Sequence, residues 1–297
     1  MRGVLRLGLA AIGLVATSAV TLAVWPVGRS VELAQLEGNV VRGAYLARAG
    51  GCIACHTDTG EGGAPLAGGT AIVSDFGTFV PPNLTTDPEK GIGGWQIEDF
   101  ARAVRQGISP NGKPYYPAFP YAFYGHLTDQ DISDLWAAFQ TVPPVAESAG
   151  NNDLPFPFNQ RDGLKLWRAV FLAAPQTTPR NDKSDAWNRG KWLVNGLTHC
   201  GACHTDRNLF GARRPEARLS GSDDLPGDKT APPITPEALI GNGWTAASLS
   251  NALKFAVKPD GDVLGGGMGE VVQQGTAMLT AEDRKAIVTY LLEGDDE

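Results

Sequence analysis

The sequence predicts an all-α protein, with an N-terminal transmembrane helix followed by two tandem copies of one small helical unit. Three observations lead to this. The chain begins with an uncharged run, Leu7 to Gly28, set between Arg6 and Arg29. A pentapeptide, Cys52-Ile53-Ala54-Cys55-His56, returns as Cys200-Gly201-Ala202-Cys203-His204. Around each copy the same order of helical patterns and turn residues recurs, which marks an internal repeat.

Taken in order, the opening run is long enough for a helix of roughly 30 Å, the thickness of a bilayer core. Arg2 and Arg6 place its N-terminus in the cytoplasm by the positive-inside rule. A cleaved signal peptide is the alternative for residues 1–30. A first domain is expected over 31–142. Asn39 to Gly50 carries Val40, Ala44, Tyr45 and Leu46 at helical spacing. The first pentapeptide follows, then a loop rich in Gly and Pro from Thr59 to Pro82. A helix starts near Gly94-Trp95 and runs to about Gln106. Pro110-Asn111-Gly112-Lys113 is a turn by its residue types. Thr128 is the expected N-cap of a closing helix, with Asp131 three residues on. That helix presents Ile132, Leu135, Trp136 and Phe139 and stops before Pro143-Pro144.

Residues 143–185 form a linker. Pro155-Phe156-Pro157-Phe158 is extended by proline restriction, and Leu164 to Leu172 forms a short helix with Trp167 and Phe171 on one side. Over 186–297 the pattern repeats. Arg189-Gly190-Lys191-Trp192-Leu193 echoes Arg42-Gly43-Ala44-Tyr45-Leu46, and Pro232-Pro233 echoes Pro81-Pro82. Gly243-Trp244 echoes Gly94-Trp95, Pro259-Asp260-Gly261 echoes Pro110-Asn111-Gly112, and Leu279-Thr280 echoes Leu127-Thr128.

C-x-x-C-H is the attachment signature of c-type haem. Cysteines one helical turn apart reach the two vinyl groups of one porphyrin, and the histidine that follows is the proximal ligand of its iron. Cys52, Cys55 and His56 would hold one haem, and Cys200, Cys203 and His204 a second. Competing explanations fare worse. Structural zinc pairs sit about 15–20 residues apart, far closer than these. A thioredoxin-like pair needs a βαβ context, and disulfides need no histidine. All four cysteines of the chain are used by the two motifs.

With those residues in view, each unit has the internal order of a class I cytochrome c domain. The chain resembles membrane-anchored dihaem cytochromes c, especially the cytochrome subunits of bacterial alcohol, gluconate and aldehyde dehydrogenases. The resemblance is carried by Phe76-Gly77-Thr78, Pro82-Asn83-Leu84-Thr85, Gly91-Ile92-Gly93-Gly94-Trp95 and Tyr116-Pro117-Ala118-Phe119-Pro120-Tyr121. The alcohol dehydrogenase subunits typically carry three haem motifs where this chain has two, and tend to have methionine where it has Phe119.

The sixth ligands are sought by census. The chain has four histidines, His56, His126, His199 and His204, and beyond Met1 only Met268 and Met278. His199 adjoins Cys200 on the attachment side. Met268 lies seven residues after Gly261, and Phe119 seven after Gly112. Counting back from Leu-Thr, Met278 matches His126. His56 and His126 are therefore expected at the first iron, and His204 and Met268 at the second, with Met278 as fallback. A first iron without a sixth ligand, or with Lys113 or a tyrosine, remains open. Tyr45, Trp95, Phe119 and Trp136 are expected to wall the first haem, and Trp192 and Trp244 the second. The paired prolines are candidates for the carbonyls that orient the proximal imidazoles.

The function expected is electron transfer, from a dehydrogenase or quinol-oxidising complex to a terminal oxidase or soluble cytochrome. The cofactor supplies the chemistry and the protein sets potential and distance. No phosphate loop or nucleophile suggests independent catalysis. A dihaem peroxidase with an open first haem, a thiosulfate-oxidising dihaem cytochrome and a structural haem subunit of a respiratory or photosynthetic complex are the alternatives. The net charge of −7 argues against nucleic-acid binding, which needs clustered Lys and Arg. The expected location is the bacterial inner membrane, with a single N-terminal anchor and the haem domains in the periplasm.

Overall fold

A computed structural model describes residues 25–295, except 148, 174, 175, 227 and 228. The first unit runs α1 (Val40–Ala49), α2 (Cys52–Cys55), a hairpin of β1 (Ile72–Ser74) and β2 (Gly77–Phe79), α3 (Ile97–Gln106), α4 (Tyr121–Tyr124) and α5 (Asp129–Phe139). The linker carries α6 (Gly163–Phe171). The second unit runs α7 (Asp185–Trp192), a π-helical turn (Leu193–Leu197), a 3-10 turn (Cys200–Ala202) and a hairpin of β3 (Ser222–Leu225) and β4 (Lys229–Ala231). It continues with α8 (Pro236–Gly241), α9 (Ala246–Phe255), α10 (Gly266–Gln274) and α11 (Ala281–Glu293).

Each unit is built on its first and last helices, which cross at a glycine. Any Cβ at Gly43 would overlap the Asp134 carbonyl, and any Cβ at Gly190 the Ala286 carbonyl. Only glycine lets the two backbones approach so closely. Charge then fixes the crossing. Arg42 pairs with Asp131 and Asp134, while Arg189 grips Asp283 with two bonds of 2.7 Å, the bidentate geometry that suits guanidinium and carboxylate.

The closing helices start as their sequences require. Thr128 Oγ1 accepts from Asp131 N at 3.2 Å, and Asp131 Oδ2 accepts from Thr128 N at 2.8 Å, a reciprocal cap. Thr280 caps α11 by accepting from Asp283 N at 3.1 Å. Inward-facing Leu46, Ile132, Leu135 and Phe139 join Trp187, Leu193, Ile287 and Tyr290 in one cluster that runs through both units. Each such side chain contributes about 1.5–3 kcal/mol when fully buried.

The expected all-α class needs correction, because the fold is mostly helical but contains two small antiparallel sheets. In the first, Ile72 pairs with Phe79, Val73 with Thr78 and Ser74 with Gly77. The linker extends it, with Thr78 and Asp153 exchanging backbone bonds of 2.8 and 2.9 Å. In the second, Ser222 pairs with Ala231. The first hairpin sits in a loop whose Gly and Pro content masks short runs of β-forming residues, whereas Asp223 and Asp224 leave the second without such a run.

The N-terminal transmembrane helix is also corrected, and with it the membrane anchor and inner-membrane location. Among the described residues no helix is long and apolar enough to cross a membrane. Trp25 to Gly28, the end of the apolar run, is not helical, and Met1 to Val24 lie outside the described residues.

Candidate haem sites

Gly51 opens the first site. Its φ of +71° lies in the left-handed region open to glycine, and it turns the chain from α1 into α2. Cys52 and Cys55 then share one face of a single turn. His56 follows, with Nδ1 2.7 Å from the Pro82 carbonyl oxygen. A carbonyl can only accept, so Nδ1 carries the hydrogen and Nε2 keeps its lone pair for a metal. The second site repeats this. His204 Nδ1 donates to the Pro232 carbonyl at 2.7 Å. Holding the imidazole through its second nitrogen fixes the ring and raises its basicity as a ligand. The proline carbonyls therefore do orient both imidazoles, but the pairing shifts by one residue. Leu84 N bonds Leu66 O and Ile234 N bonds Leu219 O, which matches Pro82 with Pro232 and Pro81 with Ala231.

The surroundings suit a large apolar group. Leu84, Trp95 and Phe119 in the first unit, and Ile234, Trp244 and Met268 in the second, are half-buried side chains packed on the core. Cys55 and Cys203 are exposed. Burial pushes the Cys52 thiol up to about 12 and also raises Cys55, Cys200 and Cys203. None is a stabilised thiolate of the redox-active kind. Among the described residues no three His, Cys, Asp or Glu side chains converge on a metal site, so zinc has no cage. Burial lowers the pKa of His56 and His204, which keeps both neutral and able to donate a lone pair. The residues at each motif fit a covalently attached haem.

The two sites meet. Gly51 approaches the His199 ring closely enough that a Cβ on the glycine would stand 3.1 Å from His199 Cε1. His199 occupies the position of Gly51 in the second unit and is itself left-handed, with φ 40° and ψ 40°. Tyr124 stands beside both, donating to the Gly50 carbonyl at 2.6 Å with its ring edge-on to His199, centroids 5.9 Å apart. The attachment turns are thus back to back.

The distal sides differ. Tyr115 N bonds Gly107 O, and Leu264 N bonds Ala256 O, both at 2.7 Å. Phe119 and Met268 each lie four residues further on, at matching places. Phe119 is ringed by Tyr115, Tyr121 and Tyr124, each centroid 6.0 Å away. Met268 lies on α10, half-buried against the core. Met278 is 56% exposed.

His126 contacts the other unit. Its Nδ1 donates to the Phe123 carbonyl at 2.5 Å, its ring stands edge-on to Trp192 at 4.9 Å, and Gly196 leaves no room for a Cβ against it. Its Nε2 is buried and makes no hydrogen bond. Burial lowers its pKa. Tyr45 and Trp192, expected on haem walls, also go to this interface. Tyr45 donates to Asp283 Oδ2 at 2.5 Å. Trp136 packs at a tilt against Phe100, 5.4 Å between centroids.

One residue of length separates the units. From Arg42 to Cys52 is ten positions, and from Arg189 to Cys200 eleven. The π-helical turn Leu193–Leu197 absorbs the extra residue, as such bulges do, and Gly196 within it departs from helical geometry at φ −128°, ψ −106°. Residue types give no sign of this bulge, and the count of eleven against ten is the one signal that could reveal it.

Comparison with known proteins agrees with this geometry. The cytochrome c family model matches residues 40–139. A "Diheme cytochrome c-type" protein of Cereibacter sphaeroides is 42% identical over 98% of both chains. The fructose dehydrogenase cytochrome subunit of Gluconobacter japonicus is 40% identical over 85% of this chain and 52% of its own. The gluconate 2-dehydrogenase cytochrome c subunit of Pantoea cypripedii is 37% identical over 86% of this chain and 59% of its own. This chain thus spans little more than half the length of either dehydrogenase subunit. It carries two covalently bound haem c groups and acts as an electron carrier. The chain belongs to the dihaem c-type cytochromes.

Proposed function

We propose that the chain is the electron-transfer partner of a dehydrogenase, accepting electrons from its substrate-oxidising subunit and passing them to a soluble cytochrome or an oxidase. The observation that carries this is the contact of Gly51 with His199, which sets the two attachment turns back to back and makes one relay of two haems. The names of the relatives, cytochrome subunits of sugar and alcohol dehydrogenases, support the class of donor. Each haem supplies a one-electron couple. His56 and His204, oriented by Pro82 and Pro232, would hold the two irons, and Met268 would supply a thioether to the second. Thioether ligation would raise the potential of that haem.

A reductive titration followed by mixing with an oxidised soluble cytochrome c tests this. Two electrons should enter each chain and both should appear on the soluble cytochrome. Uptake without onward transfer would contradict a carrier role.

A further inference from the structure

We propose that the first haem keeps its sixth position open and that this position binds a neutral diatomic ligand of the carbon monoxide class. The argument starts from matching backbone. The turn that leads to the distal segment is the same in both units, with Ser109 N bonded to Lys113 O at 2.9 Å and Lys258 N to Asp262 O at 2.7 Å. At equivalent positions beyond it the second unit offers the Met268 thioether and the first offers Phe119. A phenyl ring has no lone pair for iron.

The strongest other donor of the first unit is engaged elsewhere. His126 has the tautomer of a metal ligand, because its Nδ1 donates to a carbonyl. Its Nε2, however, is closed off by burial, and the ring is packed between Trp192 and Gly196 of the second unit. Swinging it onto the first iron would dismantle the interface and leave Trp192 uncovered. The tyrosines around Phe119 are phenols rather than phenolates. Burial pushes Tyr115 up to about 12 and holds Tyr124 well above its ordinary value, and the Tyr124 hydroxyl is used on the Gly50 carbonyl. Lys113 is exposed at the turn.

What remains on the distal side is an aromatic box. Rings of this kind accommodate a small neutral molecule better than a charged one. Carbon monoxide binds ferrous iron by one iron–carbon bond, with no electron transferred and no protein ligand displaced. The inference goes beyond electron carriage, and the onward transfer described above, measured on the same preparation, separates its failure from failure of that reading.

The test is titration of the fully reduced, two-haem protein with carbon monoxide, followed optically. One equivalent per chain should bind. Phe119→Met should abolish binding and strengthen the near-red band that the thioether-ligated second haem already gives in the ferric wild type. His126→Ala should leave the stoichiometry at one. A wild type that binds none would overturn the proposal, as would a first haem that becomes reactive only when His126 is replaced. Should Phe119→Met fail to accumulate, the ferric wild-type spectrum decides, since a high-spin component supports an open iron and a wholly low-spin spectrum overturns it.

Discussion

The two haem units share a chassis and differ in the residue they carry at one matched position beyond the shared turn. In both, a glycine lets first and last helices touch, a left-handed residue leads into the cysteines, and a proline carbonyl holds the proximal imidazole at 2.7 Å. The distal slot then holds Phe119 in one and Met268 in the other. At the interface the units exchange different groups. Tyr45 of the first reaches Asp283 of the second, whereas Trp192 of the second receives His126 of the first. Attachment and proximal geometry thus stay constant while Phe119, Met268 and the interface side chains differ between the units.

The largest expected break is at the cysteines. Replacing Cys200 and Cys203 by serine should remove the second haem alone and halve the pyridine haemochrome absorbance per chain. Loss of both haems would show that the sites do not load independently. Next come the crossing glycines. Gly43→Leu and Gly190→Leu should each cost about 3 kcal/mol through overpacking, read by denaturant unfolding. A change under about 0.5 kcal/mol, the level of an ordinary surface substitution, would contradict the close approach.

Gly196→Ala acts on one unit only. Its methyl group meets the His126 ring and should cost about 1–2 kcal/mol, and the effect should be smaller in a His126→Ala background because the two sites are coupled. Equal costs in both backgrounds would place the strain in the π-helical turn itself.

The smallest effect is a pH slope. Burial lowers the pKa of His126, and burial with help from Arg213 lowers that of His199. Protons then favour the unfolded chain, so stability is full above the unfolded value of about 6.5 and declines as pH falls below it. Asp134 and Asp283 give a second, more acidic decline. Burial opposes their ionisation, but Asn39 and Arg42 for Asp134, and Arg189 and Tyr45 for Asp283, outweigh it and lower both values. Their contribution is present above about 3.9 and is lost as pH falls through the depressed native values. Thermal unfolding of the two-haem protein from pH 7 to 5 should show the first decline, and His126→Gln should flatten it. A stability that rises on acidification would contradict the buried neutral histidine.

Much of this was legible in the residues. The haem motifs, the helices around them, the Thr128 cap and the proline carbonyls follow from local chemistry, because ligand spacing, helical period and capping act over a few residues. Side chains whose partners lie in the other unit were not legible. Tyr45, Trp192 and His126 look like haem-wall or ligand residues when each unit is considered alone, and only the packing of one unit on the other shows Tyr45 on Asp283 and His126 on Trp192. The hairpins were hidden because short strands in a loop rich in Gly and Pro depend on cross-strand partners, Asp153 of the linker among them. The apolar N-terminal run suggested a span, while the described chain from Trp25 onward contains no membrane-crossing helix.

The difference between the two units is tested most directly by low-temperature EPR of the fully oxidised protein. One high-spin signal from the first haem and one low-spin signal from the second, unchanged by His126→Ala, are expected. Two low-spin signals, one of them converted to high-spin by His126→Ala, would contradict it and restore His126 to the first iron.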